Sequence, residues 1–127
     1  MPKLDALLES SLYVEDLARS VRFYETVLGL EVIAAYGERL RAMGVAGRQV
    51  LLLFKKGAPA DHDGEGRLHV AFAIPASELA AWEQQLAERG VAIETRTHWP
   101  RGGESLYFRD PDGHLLELAT PGVWPIY

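Results

Sequence analysis

The sequence reads twice, and that repetition constrains the fold more than any other feature. Laid over itself at an offset of 60, it places Leu12 on Phe72, Val14 on Ile74 and Glu9 on His69. An offset of 65 aligns the closing runs, with Leu52 on Glu117 and Gly57 on Gly122. A duplication of this length describes two like modules, each a supersecondary unit too small to bury both faces of its own sheet. Two such units are expected to combine into one sheet-lined cavity with helices outside, and a concave sheet is a natural ligand site.

Within each copy the pattern is strand, helix, then three strands. Leu7 to Val14 reads as a strand, and Leu17 to Leu28 as a helix with Val21, Tyr24 and Leu28 on one stripe, capped by Asp16 and stopped by Gly29. Strands near Leu30 to Tyr36, Glu38 to Met43 and Gln49 to Phe54 follow, separated by glycines. In the second copy Leu68 to Ile74 is a strand. A helix from about Glu78 to Arg89 carries Leu79, Trp82 and Leu86 as its core stripe, capped by Ser77 and stopped by Gly90. Val91 to Arg96, Ser105 to Arg109 and His114 to Ala119 are the closing strands, the last two joined by a type I turn at Asp110-Pro111-Asp112-Gly113. The class is therefore α+β, two βαβββ modules in a single domain. Module 1 covers about 5–56, a breaker-rich linker about 57–66, module 2 about 67–122, and a short tail 123–127.

Composition narrows the function. With 127 residues and no cysteine, the chain has no disulfide framework, no thiolate nucleophile and no Cys-ligated metal, while His and carboxylate metal sites stay open. A net charge of −5 without a block of Lys and Arg carries no footprint for nucleic acid. The longest apolar run is Val50 to Phe54, far short of a membrane span, and residues 1–5 have no signal-peptide core, so no membrane partner and a cytoplasmic location are expected.

Strand parity then sorts core from cavity, because alternate side chains share a face. Leu8, Leu12 and Val14 form one packing row, and Leu68, Val70, Phe72 and Ile74 another. Leu106 and Phe108 pack with Leu116 and Leu118. The opposite, cavity-facing set is Glu9, Ser11 and Tyr13; His69; Ser105, Tyr107 and Arg109; and Glu117. Two carboxylates and an imidazole converging in a cavity repel and desolvate poorly without a cation between them, so Glu9, His69 and Glu117 are the candidate ligands of a divalent metal such as Mn, Fe, Zn, Ni or Mg. Three protein ligands leave positions open for water or substrate. Glu9 or Glu117 is also a candidate general base. Tyr107, a candidate catalytic residue, and Ser105 are placed to donate hydrogen bonds to substrate, with Ser11 and Tyr13 on the same wall. Arg101, in the glycine-flanked loop Trp99-Pro100-Arg101-Gly102-Gly103, is positioned to clamp an anionic group. Arg39 and Arg41 read as the charges of an exposed edge strand. Asp61, His62 and Asp63 read as solvated linker and His98 as a loop residue, while Trp124 to Tyr127 form an exposed apolar tail.

Several of these residues also carry a family resemblance. Leu12-Tyr13-Val14-Glu15-Asp16-Leu17, then Ser20, Phe23-Tyr24 and Val27-Leu28-Gly29-Leu30, and in the second half Tyr107-Phe108-Arg109-Asp110-Pro111-Asp112-Gly113-His114 leading to Glu117, resemble the vicinal oxygen chelate superfamily. That group includes glyoxalase I, the fosfomycin-resistance thiol transferases, extradiol dioxygenases and bleomycin-resistance proteins. The resemblance implies ligand positions on the first and fourth strands of each module, here Glu9, Leu52, His69 and Glu117. Leu52 cannot ligate, and Glu9 stands where the fosfomycin-resistance enzymes and dioxygenases normally carry His. The resemblance implies a glyoxalase-like metalloenzyme in which two oxygens of a small substrate chelate the ion, for isomerase or lyase, thiol-transfer or dioxygenase chemistry. The alternative it implies is a metal-free protein that sequesters a small molecule, as the bleomycin-resistance members do. It further implies a homodimer in which modules of two chains pair.

Overall fold

Each half of the chain folds as a strand, a helix and three further strands, the arrangement expected from the duplication. The structure, a computed structural model, describes residues 1–57 and 66–127. Asp61, His62 and Asp63 therefore lie outside the described residues. Two units are distinguished, Met1–Gly66 and Arg67–Tyr127.

In the first unit the elements are β1 (Glu9–Val14), α1 (Leu17–Thr26), β2 (Glu31–Tyr36), β3 (Leu40–Val45) and β4 (Gln49–Lys55). Asp16 sits in extended backbone and its side chain accepts from the Arg19 N–H at 3.0 Å, satisfying a donor that the first helical turn leaves free. The sheet order is β1-β4-β3-β2, with β1 parallel to β4 and the other neighbours antiparallel. Leu12, Val14, Met43, Leu51 and Leu53 share one face and are buried with Tyr24 of α1. Each such side chain contributes roughly 1.5–3 kcal/mol by leaving water. Leu8, expected in this packing row, lies before the strand and is 65% exposed. The edge strands are β1 and β2. Arg41 lies on the interior strand β3, where its guanidinium donates to the carbonyls of Gly37 (2.5 Å) and Leu40 (2.9 Å), so it ties the hairpin instead of guarding an edge.

The second unit repeats the plan with β5 (His69–Ala73), a 3-10 turn (Ala76–Glu78), α2 (Leu79–Glu88), β6 (Thr95–His98), β7 (Glu104–Arg109) and β8 (Leu115–Ala119), ordered β5-β8-β7-β6. Ser77 does not cap α2. It lies inside the 3-10 turn, which delivers the chain into the helix with no side-chain cap. The C-terminal end is as expected. Gly90 is left-handed (φ +71°), its N–H reaches Ala87 O, and Val91 N–H reaches Leu86 O, the paired bonds of a Schellman stop. Leu86, Leu106, Phe108, Leu116 and Leu118 are buried, while Trp82 and Leu79 are half-buried. Residues 91–94 stay outside regular strand, and His98 closes β6 instead of lying in a loop. The Asp110–Gly113 turn closes with Gly113 N–H on Asp110 O (3.0 Å), and the Asp110 carboxylate takes the N–H groups of Asp112 and His114. His114, buried, accepts Leu68 N–H at Nδ1 (3.0 Å).

One close approach pins the loop before β7. A Cβ on Gly103 meets the Gly122 carbonyl carbon at 2.5 Å, and Gly122, at φ +105°, faces the Gly103 backbone in return. The Gly122→Ala variant is expected to lose about 3 kcal/mol or more, from backbone strain and overpacking together. Gly29→Ala, at φ +71° with nothing within 4 Å, is expected to lose only about 1 kcal/mol. Urea denaturation midpoints compare the two, and equal losses would contradict the close approach.

Candidate functional site

Parallel pairing of β5 with β8 sets His69 beside Leu115 and Ala71 beside Glu117. Antiparallel pairing then sets Tyr107 opposite Glu117 and Thr97 opposite Ser105. Because alternate residues share a face, His69, Glu117, Ser105, Tyr107 and Thr97 lie together on the side away from Leu106, Phe108, Leu116 and Leu118.

On that face His69 Nε2 stands 3.1 Å from Glu117 Oε1. The other ring nitrogen, Nδ1, is 2.9 Å from the carbonyl oxygen of Leu115. A carbonyl only accepts, so Nδ1 carries a hydrogen and donates it. A neutral His69 then turns the lone pair of Nε2 toward a carboxylate oxygen, an arrangement that holds only with one positive charge between the two atoms, a proton or a metal ion. The carboxylate is the protected partner, its side chain 8% exposed against 48% for His69. Glu117 Oε2 accepts from Ser105 Oγ at 2.5 Å, and Ser105 Oγ accepts from the indole Nε1 of Trp99 at 2.9 Å.

These groups fit a divalent cation. An imidazole whose far N–H is anchored on a backbone carbonyl is the usual form of a metal-ligating His. Two ligands at roughly 2.1 Å from one ion, at a right angle, stand about 3.0 Å apart, near the observed 3.1 Å. Among the described residues no three His, Asp or Glu side chains form a ready cluster. His69 and Glu117 are the pair the second unit supplies.

Tyr107 completes this face. Its ring lies 6.3 Å from that of His69, tilted by 33°. Burial pushes its phenol above the ordinary value, and the negative charge of Glu117 pushes it further, against contacts with Ser105 and Thr97 that lower it. Tyr107 is therefore a neutral donor throughout the physiological range. Arg109 is committed elsewhere, in a two-pronged pair with Glu94 at 2.9 and 3.0 Å.

The sequence-derived set thus divides by unit. His69, Ser105, Tyr107 and Glu117 come together in the second. Glu9, Ser11 and Tyr13 share one face of β1 in the first, with Glu9 exposed and Tyr13 stacked on Phe54 at 5.6 Å. Leu52 stands beside Ser11 on β4. Arg101 is exposed on a turn closed by Trp99 N–H to Gly103 O (2.8 Å) and Gly102 N–H to Trp99 O (2.9 Å). Two members of the site were not singled out from sequence. Thr97 had a strand-parity signal, had the strand been drawn through to His98, and Trp99 had none.

The sequence and the fold match those of known proteins. Residues 3–118 match the family model of the Glyoxalase/Bleomycin resistance protein/Dioxygenase superfamily. Metallothiol transferase FosB of Staphylococcus saprophyticus is 33% identical over 108 residues, covering 84% of this chain and 71% of that protein. The protein of the same name from Shouchella clausii is 32% identical over 109 residues, covering 84% and 74%. The crystal structure of lactoylglutathione lyase from Agrobacterium tumefaciens superposes with a TM-score of 0.87 at 27% identity, over 98% of this chain and 99% of that one.

The raised phenol carries a pH signature. Tyr107 holds its proton more tightly folded than unfolded, so its contribution is fully present below the unfolded value near 10 and is lost as pH rises through the folded one. In Tyr107→Phe the alkaline loss of stability is expected to be shallower than in the wild type. Urea titrations at a series of pH values above neutrality check this, and an unchanged slope would contradict it.

Proposed function

The chain belongs to the Glyoxalase/Bleomycin resistance protein/Dioxygenase superfamily, and on that premise we propose that it is a divalent-metal enzyme that transfers a thiol to a small oxygenated substrate. The observation that carries the reading is the His69 Nε2–Glu117 Oε1 pair at 3.1 Å, with the far imidazole nitrogen anchored on Leu115 O. Thiol transfer is favoured over the other reactions of the superfamily by the relatives of about one-third identity, both named metallothiol transferases.

In this proposal His69 and Glu117 hold the ion and Glu9 is its third protein ligand. The bound ion supplies Lewis acidity to an oxygen of the substrate. Tyr107 donates its phenolic hydrogen to a substrate oxygen, a role its raised pKa preserves at neutral pH. Arg101 holds an anionic group of the substrate from its exposed turn, and Ser11 and Tyr13 line the wall beside Glu9. The sulfur of the incoming thiol bonds the electrophilic carbon, the carbon–oxygen bond breaks with its electron pair kept on oxygen, and the proton of the thiol ends on that oxygen. Glu9 is supplied by a second copy of the chain, in a homodimer with two equivalent sites.

Elemental analysis of protein purified without chelators is expected to find about one divalent ion per chain, lost in His69→Ala and in Glu117→Ala. Absence of the ion, with no thermal stabilisation by added Mn, Fe, Zn, Ni or Mg, would transfer the reading to a metal-free binding protein. A second test addresses the third ligand. Glu9→Ala and His69→Ala chains, each inactive alone, are expected to regain metal binding and thiol-transfer activity when mixed, since one site of the mixed dimer then carries every ligand. No recovery on mixing would refute ligation across two copies.

A further inference from the structure

The hydrogen-bond chain behind Glu117 has a direction that its chemistry fixes. An indole N–H only donates, so at 2.9 Å Trp99 Nε1 gives its hydrogen to Ser105 Oγ. Ser105 is fully buried, and its one hydrogen points to Glu117 Oε2 at 2.5 Å. Without the indole, no donor fixes which way the lone pairs of the hydroxyl turn. With the indole in place, Oε2 is committed and Oε1 is the oxygen left beside His69 Nε2.

We propose that Trp99 is a positioning residue for the Glu117 carboxylate, acting through Ser105 to reserve Oε2 for the hydrogen bond and Oε1 for the cation. This rests on the metal-centre reading given above. It has a structural corollary. Trp99 opens the turn that carries Arg101, and that turn is held at its other end by Gly103 against Gly122. One residue thereby links the Glu117 carboxylate to the turn that carries Arg101. Partners of this kind, hydrogen-bonded behind a ligand, typically govern metal affinity by about 10- to 100-fold.

The test uses the full chain as wild type, Trp99→Phe, Ser105→Ala, Ser105→Thr and the Trp99→Phe/Ser105→Ala double variant, with folding checked by circular dichroism. The chain has three tryptophans, and the indole N–H resonance missing from Trp99→Phe identifies that of Trp99. This resonance is expected to move upfield and exchange faster with water in Ser105→Ala, and to stay in place in Ser105→Thr. Mn(II) affinity by calorimetry is expected to fall about tenfold in Trp99→Phe and at least as far in Ser105→Ala. The double variant is expected to bind no more weakly than Ser105→Ala alone, because both changes break one chain. An indole resonance indifferent to Ser105→Ala overturns the proposal, as do losses that multiply in the double variant, which would make Trp99 a packing residue only. A wild type that binds no Mn(II), Zn(II) or Ni(II) overturns the metal reading and with it the role of Trp99. The resonance shifts then separate that failure from an absent hydrogen-bond chain, since they need no metal.

Discussion

Everything at the candidate site depends on the parallel pairing of the first and last strands of the second unit. Parallel neighbours cannot be joined by a tight turn, so the chain must travel through a helix and a hairpin before it returns. The return is sealed at both ends, by Leu115 N–H on Leu68 O (2.9 Å) and Ile74 N–H on Ala119 O (3.0 Å). It is this seal that brings the imidazole of His69 against the Leu115 carbonyl across a sequence separation of 46 residues. The β1–β4 pair of the first unit is built alike, with Val50 N–H on Leu8 O (2.9 Å) and Lys56 N–H on Val14 O (2.9 Å). Loss of the β5–β8 pairing would separate His69 from Glu117 entirely, whereas loss of β6 would leave them together.

Electrostatics and packing meet on the two faces of this sheet in different ways. The face toward α2 is closed by Leu86, Leu106, Phe108, Leu116 and Leu118, with no polar atom to satisfy. The other face is partly open, with His69 exposed, but Ser105, Glu117 and Ala119 are buried there, so it holds a buried carboxylate. A buried carboxylate is costly unless each oxygen has a partner. Ser105 serves one oxygen, and the positive charge held between Oε1 and His69 Nε2 serves the other. Among the described residues, no buried side-chain polar atom is left without a partner.

The legible part of this molecule was whatever obeys a period. The duplication gave the order of elements, and parity placed Leu116, Leu118, Leu106 and Phe108 on one side with His69, Ser105, Tyr107 and Glu117 on the other, as found. Parity fails at strand ends, where the ladder that enforces it stops. Leu8 fits the alternation yet precedes β1 and lies exposed. Val91 to Ile93 read as strand because they are apolar, with Val91 and Ile93 β-branched, but pairing with β7 becomes regular only at Thr95. Ser77 is a good cap by type, and the proline before the 3-10 turn, in extended backbone, changes which residue begins the helix. Trp99 was invisible for a different reason. Its contact with Ser105 depends on a turn closed by backbone bonds, a geometry no side-chain pattern records.

The meeting of Gly103 with Gly122 limits how this protein can be altered. Neither position admits a side chain while the other keeps its place, so the two form a locked pair that single-residue change cannot open. The lock lies directly behind the turn that carries Arg101. Variation in this turn would therefore find its freedom at Pro100 and Arg101, which are exposed, and meet a wall at Gly103. The fold holds the shape of the turn constant while leaving its exposed side chains open to exchange.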